Sequence, residues 1–446
     1  MSLLANVVTR FAPSPTGLLH AGNYRTALFS YVYAAQNKGK FILRIEDSDR
    51  ARSKKEYEDN IVESLKWLGL PYDEFYRQSD RLGIYRSYLA KLIESGQAFV
   101  SKETPVESGG RTEVIRFKNP NAKIRFADLV RGDIEFDTTE LGDFVVARSL
   151  DEPLFHLAVV VDDHEMEVTH VIRGEDHISN TARQILIARA LGFDLPAYAH
   201  VPLLLSPGRG KLSKRGGAPS ITAYRDRGYL AEALVNYMIL LGWNPGDEQE
   251  ILSREEIVAK FSLGKIQKGG AIFDEEKLKW FNRQYLRRLS DGDFALHASP
   301  FVPEWLGTGS PAFKRLLPLL KEKISTFGEI AEVFDKNGEL DFVRGLLPYA
   351  ADLLLWKKKP EREGARAHLA EARKLLAAVS ADHFTAERIK DTLWPYAEEH
   401  GKGDVLWPLR VALTGKEKSP DPFTAAALVG REEALKRIDH AIKYLA

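Results

Sequence analysis

Four stretches of this chain gather polar side chains at spacings that suit a charged ligand. Arg10 opens the first, followed by Ala12-Pro13-Ser14-Pro15-Thr16-Gly17 and then by His20 and Gly22. An arginine offers a planar fork to carboxylate, and small residues ahead of a helix let backbone N–H groups approach a phosphate. Glu46, Asp47 and Asp49 form the second cluster, and Arg173-Gly174-Glu175-Asp176-His177 the third. The fourth, Gly208 to Gly217, sets Lys211, Ser213 and Lys214 in a basic, glycine-rich loop. Mobile ammonium groups there suit the charge that develops on a polyphosphate leaving group.

Each cluster also has an ordinary structural explanation. A strand-to-helix turn with His20 as a capping or core histidine accounts for the first. Ion pairs at strand ends account for Arg10, Glu46 and Arg173, and a solvated basic loop accounts for the fourth. Neither glycine pattern is G-x-G-x-x-G or the Walker G-x-x-x-x-G-K-[ST], so a dinucleotide fold of that type and P-loop phosphoryl transfer are disfavoured.

The elements that must hold these side chains read as alternating strands and helices. Residues 7–11 form a short apolar strand, and a helix is predicted over Ala21 to Gln36 with Leu28, Val32 and Ala35 on one stripe. A strand from Phe41 to Ile45 delivers Glu46, and an amphipathic helix with Ile61, Leu65 and Leu68 follows. Composition changes from about 96 to 156, where alternating segments sit among Gly109-Gly110, Pro120 and Gly132, as in an inserted subdomain. The apolar run Leu157 to Val161, ending in Asp162-Asp163, resumes the α/β pattern, and Val168 to Ile172 continues it up to Arg173. Such a pattern predicts a parallel sheet with helices on both faces. Ligands then bind beyond the carboxyl ends of the strands, where the three strand-end clusters, Arg10 to Gly17, Glu46 to Arg50 and Arg173 to His177, should converge on one crevice. Past residue 220 helical periodicity dominates, with a capping box at Ser253 and Glu256.

A length of 446 residues implies two to four domains. No run approaches the ~18 apolar residues of a membrane span, and the N-terminus shows no export signal, so a soluble, cytoplasmic protein is expected. The absence of cysteine removes disulfides, thiolate nucleophiles and cysteine-ligated zinc. Basic and acidic residues balance at 63 each, which argues weakly against a nucleic-acid partner unless local patches supply the charge.

The two signature loops together resemble those of class I aminoacyl-tRNA synthetases: His20-Ala21-Gly22-Asn23 looks like the His-Ile-Gly-His element and Lys211 to Arg215 like the Lys-Met-Ser-Lys-Ser loop. The blocks RFAPSPTGLLHAG, FILRIEDSDR, FHLAVVVDD, THVIRGEDHISNTARQ and GKLSKR, in that order, resemble the glutamyl-tRNA synthetase family. The likeness continues through FDEEKLKWFN and LRVALTG and spans nearly the whole chain.

The resemblance implies an α/β Rossmann-like catalytic domain with an inserted α+β acceptor-binding subdomain and an all-α anticodon-binding half. The implied divisions are 1–95 and 157–205 for the catalytic halves, 96–156 for the insertion, 206–290 for the signature-loop and stem-contact junction, and 291–446 for the anticodon domain. It implies glutamate bound by Arg10, Ala12, Ser14, Glu46, Phe155 and Arg173. ATP, as its magnesium complex, would lie over Gly17, His20 and Gly22, with Asp176 near the ribose or base and Lys211, Ser213 and Lys214 at the phosphates. His20, Lys211 and Lys214 are the implied catalytic residues, and no metal ligand is implied. The expected partner is tRNA(Glu), with tRNA(Gln) as an alternative, and a monomer is the family default.

Three departures stand out. Phe155 replaces the usual Tyr, Asn23 replaces the final His of the first signature, and the cysteine cluster that some relatives use for zinc is missing around Phe99 to Thr104, so no structural zinc is expected. In the helical half, Trp356-Lys357-Lys358-Lys359 with Arg362, Arg366, Arg373 and Lys374 are candidate phosphate contacts, although such runs are commonly solvated helix faces.

Overall fold

The computed structural model describes residues 6–103, 113–210, 212, 219–335, 338–358 and 360–446. The chain divides into two compact units, residues 1–226 with 230–281 and residues 227–229 with 282–446.

The first unit is built on a seven-stranded sheet. Strands β1 (Val8–Phe11), β2 (Lys40–Ile45) and β3 (Glu74–Arg77) enter first, then β4 (Ala98–Lys102), β5 (Glu113–Phe117), β6 (Lys123–Asp128), β7 (Gly132–Asp137), β8 (Phe144–Ser149) and β9 (Glu152–Pro153). Strands β10 (His170–Gly174), β11 (Ala197–Val201), β12 (Leu204–Leu205) and β13 (Ala271–Ile272) complete the set. The order in the large sheet is β3-β2-β1-β10-β11-β6-β7, parallel throughout except for the β6–β7 hairpin. Its inner strands are buried almost throughout, so they show no polar–apolar alternation.

Helix α1 (Ala21–Gln36) connects β1 to β2. The chain leaves it through Asn37-Lys38-Gly39, with Lys38 at φ 53°. Gly39 is required by close approach: a Cβ there would lie 1.9 Å from the Val7 carbonyl oxygen. Helix α2 (Lys55–Trp67) buries Ile61 and Leu65 with Leu68 just beyond its end, and α3 (Leu82–Glu94) buries Tyr85, Leu89 and Leu92.

The apolar run at Leu157 to Val161 does not add a strand. It lies inside helix α4 (Phe155–Glu165), in which Leu157 to Asp162 are all buried. A helix buried on every side shows no polar stripe, and three successive valines favour a strand locally, so burial against the sheet decides the outcome. Helix α5 (Ile178–Leu191) ends at Gly192 in the left-handed conformation.

The segment from 96 to 156 takes part in two sheets. Strands β4, β5, β8 and β9 form an antiparallel sheet of their own, whereas the β6–β7 ribbon pairs through Asp128 with Tyr198 of β11 and so extends the catalytic sheet. Alternation along a strand announces a half-buried strand without saying which sheet edge it joins.

Helices α6 (Ile221–Asp226), α7 (Ala231–Leu240), α8 (Arg254–Lys260) and α9 (Glu275–Arg288) follow. The expected capping box at α8 is present, with Ser253 accepting from the Glu256 amide and Glu256 accepting from the Ser253 amide. Thereafter the chain is helical: α10 (Asp291–Ala298), α11 (Pro311–Lys323), α12 (Glu329–Phe334), α13 (Arg362–Ala377), α14 (Ala386–His400), α15 (Lys402–Thr414), α16 (Pro422–Val429) and α17 (Arg431–Tyr444). Helix α13 packs on α14, α15 and α17 around Leu369, Leu376, Leu393, Leu409 and Ile438.

Candidate active site

At the carboxyl ends of β1, β2 and β10, a cavity of about 290 Å³ opens. Its wall holds Arg10, Ala12, Ser14, His20, Gly22, Glu46, Phe155, Arg173 and Asp176, which are distant in sequence. Gly17 does not line it, although Thr16 does. Lys211, Ser213 and Lys214 lie outside the described residues; Leu212, between them, reaches the wall and donates its amide to Leu204 O at 2.8 Å. An adjoining cleft of about 740 Å³ shares Ser14, Glu46 and Phe155 and carries Arg50, Arg52 and Arg148.

Two residues of the wall, Arg10 and Glu46, belong to a buried ion-pair network. Arg10 Nε donates to Asp163 Oδ1 at 3.2 Å, and Arg44 reaches Asp163 at 2.7 Å and Glu46 at 3.1 Å. Asp162 completes it with Arg44 at 3.7 Å, Arg81 at 2.7 Å and hydrogen bonds from Gln78 and Tyr85. Three guanidinium groups therefore face three carboxylates, and the connected network is balanced. Burial raises the Glu46 carboxyl above its ordinary range against the pull of Arg44 and Arg10. An arriving ammonium group would favour its ionised form. Asp163 is largely buried too, yet Arg10 and Arg44 outweigh that burial and hold it below the usual carboxylate range.

Arg173 differs. It is buried, and all of its hydrogen-bond partners are neutral: Nε donates to His200 Nε2 at 3.2 Å, and one terminal nitrogen donates to Thr181 Oγ1 at 2.7 Å and Gln184 Oε1 at 2.8 Å. It forms no ion pair among the described residues. Burial, reinforced by the neighbouring Arg10 cation, pulls it down to about 10. A buried guanidinium without a carboxylate is costly, and an anionic ligand relieves that cost.

His20 caps α1, its Nδ1 accepting from the Gly22 amide at 3.2 Å. The capping role expected of an ordinary turn is therefore present, and the imidazole also faces the cavity. A Cβ on Gly22 would press on that ring at 3.1 Å, so glycine keeps the helix start open. His177 and His156 are each pushed down to about 4, chiefly by burial and then by nearby arginines. Neutral imidazoles and fixed guanidiniums suit positioning and charge stabilisation rather than proton transfer. Phe155 presents an apolar ring to the cavity beside Val159, its centroid 6.0 Å from that of His177.

Several members of this site escape sequence reasoning. Asp162 and Asp163 project from the last turn of α4, and Arg44 sits inside an otherwise apolar strand. Paired aspartates closing an apolar run, and a single arginine within one, were the available signals. His200 and its partner Asp128 give no local signal at all.

The helical half is charged and largely self-paired where the basic run lies. Lys357 meets Glu417, Lys374 meets Glu371, Arg373 meets Asp439 and Arg362 meets Asp352. Lys358 and Arg366 are exposed without an ion pair among the described residues, and Lys359 lies outside them. No described helix is long and apolar enough to cross a membrane.

Comparison with known proteins agrees with this architecture. The family model for tRNA synthetases class I (E and Q), catalytic domain, matches residues 6–108 and 106–280, and that for an anticodon binding domain matches 293–442. The glutamate–tRNA ligase of Nitratidesulfovibrio vulgaris is 41% identical over 474 residues, covering 98% of this chain and 100% of that protein. That of Aquifex aeolicus is 40% identical over 485 residues, covering 99% and 100%. The crystal structure of a glutamate tRNA ligase from Elizabethkingia meningosepticum in complex with its amino acid superposes with a TM-score of 0.86 at 32% identity, over 99% of this chain and 100% of that one. With an α/β catalytic unit and a helical remainder matched end to end, the chain belongs to the glutamate–tRNA ligase family of class I aminoacyl-tRNA synthetases.

Proposed function

We propose that the cavity binds L-glutamate between Arg10 and Arg173, with Glu46 accepting from its ammonium group and Ala12, Ser14 and Phe155 bounding it. The observation that carries this reading is the unpaired, buried Arg173 beside a balanced ion network. Glutamate at neutral pH brings one net negative charge, which is what the site lacks.

ATP, as its magnesium complex, lies along Gly17, His20 and Gly22, with Asp176 toward the nucleoside and Lys211, Ser213 and Lys214 at the phosphates. The glutamate α-carboxylate attacks the α-phosphorus, the bond to pyrophosphate breaks, and glutamyl-adenylate forms. The 2′-hydroxyl of the terminal adenosine of tRNA(Glu) then takes the acyl group and AMP leaves. Residues 96–156 serve the acceptor end, 206–290 the signature loop and stem, and 291–446 the anticodon, in a cytoplasmic monomer.

Aminoacylation of tRNA(Glu) and tRNA(Gln) transcripts with radiolabelled glutamate or glutamine, against Lys214→Ala, tests this reading. Glutamate on tRNA(Glu) alone is the expected result. Charging of both tRNAs would establish a non-discriminating enzyme, and no charging would refute the activity.

A further inference from the structure

We infer that Asp128 and His200 are positioning residues for Arg173, so that the β6–β7 ribbon sets the amino-acid site from the edge of the sheet. The inference rests on the proposed role of Arg173 in holding glutamate.

The geometry is a buried chain of three groups. Asp128 Oδ2 lies 2.6 Å from His200 Nδ1, and His200 Nε2 lies 3.2 Å from Arg173 Nε. His200 is fully buried, and Asp128 and Arg173 nearly so. Strand pairing places the last two groups side by side, with Arg173 of β10 in register with His200 of β11. Asp128 closes β6 and also accepts from the amides of Val130, Arg131 and His200, which locks its carboxylate in place.

The chemistry of the chain is directional. A carboxylate on Nδ1 makes that nitrogen the proton carrier, which leaves Nε2 as an acceptor for a guanidinium N–H. Burial keeps His200 neutral, and Asp128, though buried, is held ionised by His200 and the Arg131 and Val130 amides. Arg10 shows the contrast: its Nε rests directly on Asp163, which neutralises it. At Arg173 the carboxylate stands one imidazole away. The guanidinium is therefore aimed without being neutralised, and its charge stays available to a ligand. With Nε on His200 and one terminal nitrogen on Thr181 and Gln184, the remaining terminal nitrogen is the one left for the cavity.

Asp128→Asn tests the chain with little change of shape. An amide can donate to Nδ1, which moves the ring proton to Nε2 and sets two donors against each other at Arg173. Steady-state aminoacylation with a tRNA(Glu) transcript should show KM for glutamate raised about tenfold, the scale of one hydrogen bond to a charged group. The values of kcat and of KM for ATP should stay within about threefold. His200→Leu should show the same split, and His200→Gln, which keeps both a donor and an acceptor, should recover most of the loss. Arg173→Lys is the reference for the underlying reading. A raised glutamate KM in Arg173→Lys with none in Asp128→Asn overturns the positioning role alone. No effect in either overturns the role of Arg173 as well. A uniform fall of kcat, both KM-based efficiencies and melting temperature in Asp128→Asn, without selectivity for glutamate, assigns Asp128 to folding and overturns the inference.

Discussion

Arg10 and Arg173 stand on adjacent parallel strands, and only Arg10 has a carboxylate, Asp163, as its direct partner. The Arg10 cation adds to the cost of burying Arg173, and on the proposed reading a ligand carboxylate offsets it. Glutamate should accordingly raise the unfolding free energy by about 2.7 kcal/mol at a hundred times its Kd. Arg173→Gln should abolish that gain in a thermal-shift titration. A full glutamate shift in the variant would contradict the binding role.

Asp163 is the partner whose loss costs most. Asp163→Asn leaves Arg10 and Arg44 without their shared carboxylate, and breaking such a buried pair costs about 3–5 kcal/mol. The sign with pH follows from its direction: the folded carboxyl is held below 3.8, so the stabilisation is complete above 3.8 and disappears as pH falls through the folded value. Urea unfolding of both proteins should give a constant difference from neutral pH down to 3.8 and a shrinking one below. A difference that shrinks already near neutrality would exclude this ion pair as its cause.

Phe155→Tyr restores a phenol at the cavity wall. One added hydrogen bond near the amino acid should strengthen glutamate binding by about 0.5–1.5 kcal/mol, read as a lower KM with kcat little changed. An unchanged or higher KM would mean that the apolar ring beside Val159 is matched to its surroundings as it stands.

Lys214→Ala should lower ATP–pyrophosphate exchange by roughly 10²–10³, the scale of losing one donor to developing charge. Glutamate-induced thermal stabilisation should be retained if the loop serves the phosphates, as proposed. Loss of both would place Lys214 in amino-acid binding instead.

Lys358 and Arg366 differ from their paired neighbours in having no ion partner among the described residues. If they meet phosphate, changing both to Ala should weaken tRNA binding and reduce the slope of log K against log salt by about 2. Arg373→Ala, which breaks the pair with Asp439, should leave that slope alone. Filter binding across a salt series decides, and an unchanged slope in the double variant marks a solvated face.

The parts of the fold that follow from local rules were legible in the sequence. Helix α1 is read from its stripe, and the Ser253–Glu256 box is capping chemistry within four consecutive residues. The gathering of Arg10, Glu46 and Arg173 follows from where parallel strands end. The identity of α4 was not legible, because a segment buried on all sides loses its periodicity. The ribbon that joins β11 and the partners Asp162, Asp163, Asp128 and His200 depend on contacts across the sheet, for which no spacing in a single sequence exists. The signature loop is different again: Lys211 and Lys214 are read through resemblance, and their placement lies outside the described residues.

The pairing of β1 with β10 joins Val8 to Thr169 across 161 positions. During synthesis at ~5–20 residues per second, the first strand waits on the order of ten seconds or more before its neighbour leaves the ribosome. Its exposed edge and apolar face are in the meantime open to the wrong partner, as long-range parallel pairing makes slow folding the rule. Because Arg10 and Arg173 lie on the two strands of that late pairing, the proposed amino-acid site is assembled only when the sheet closes.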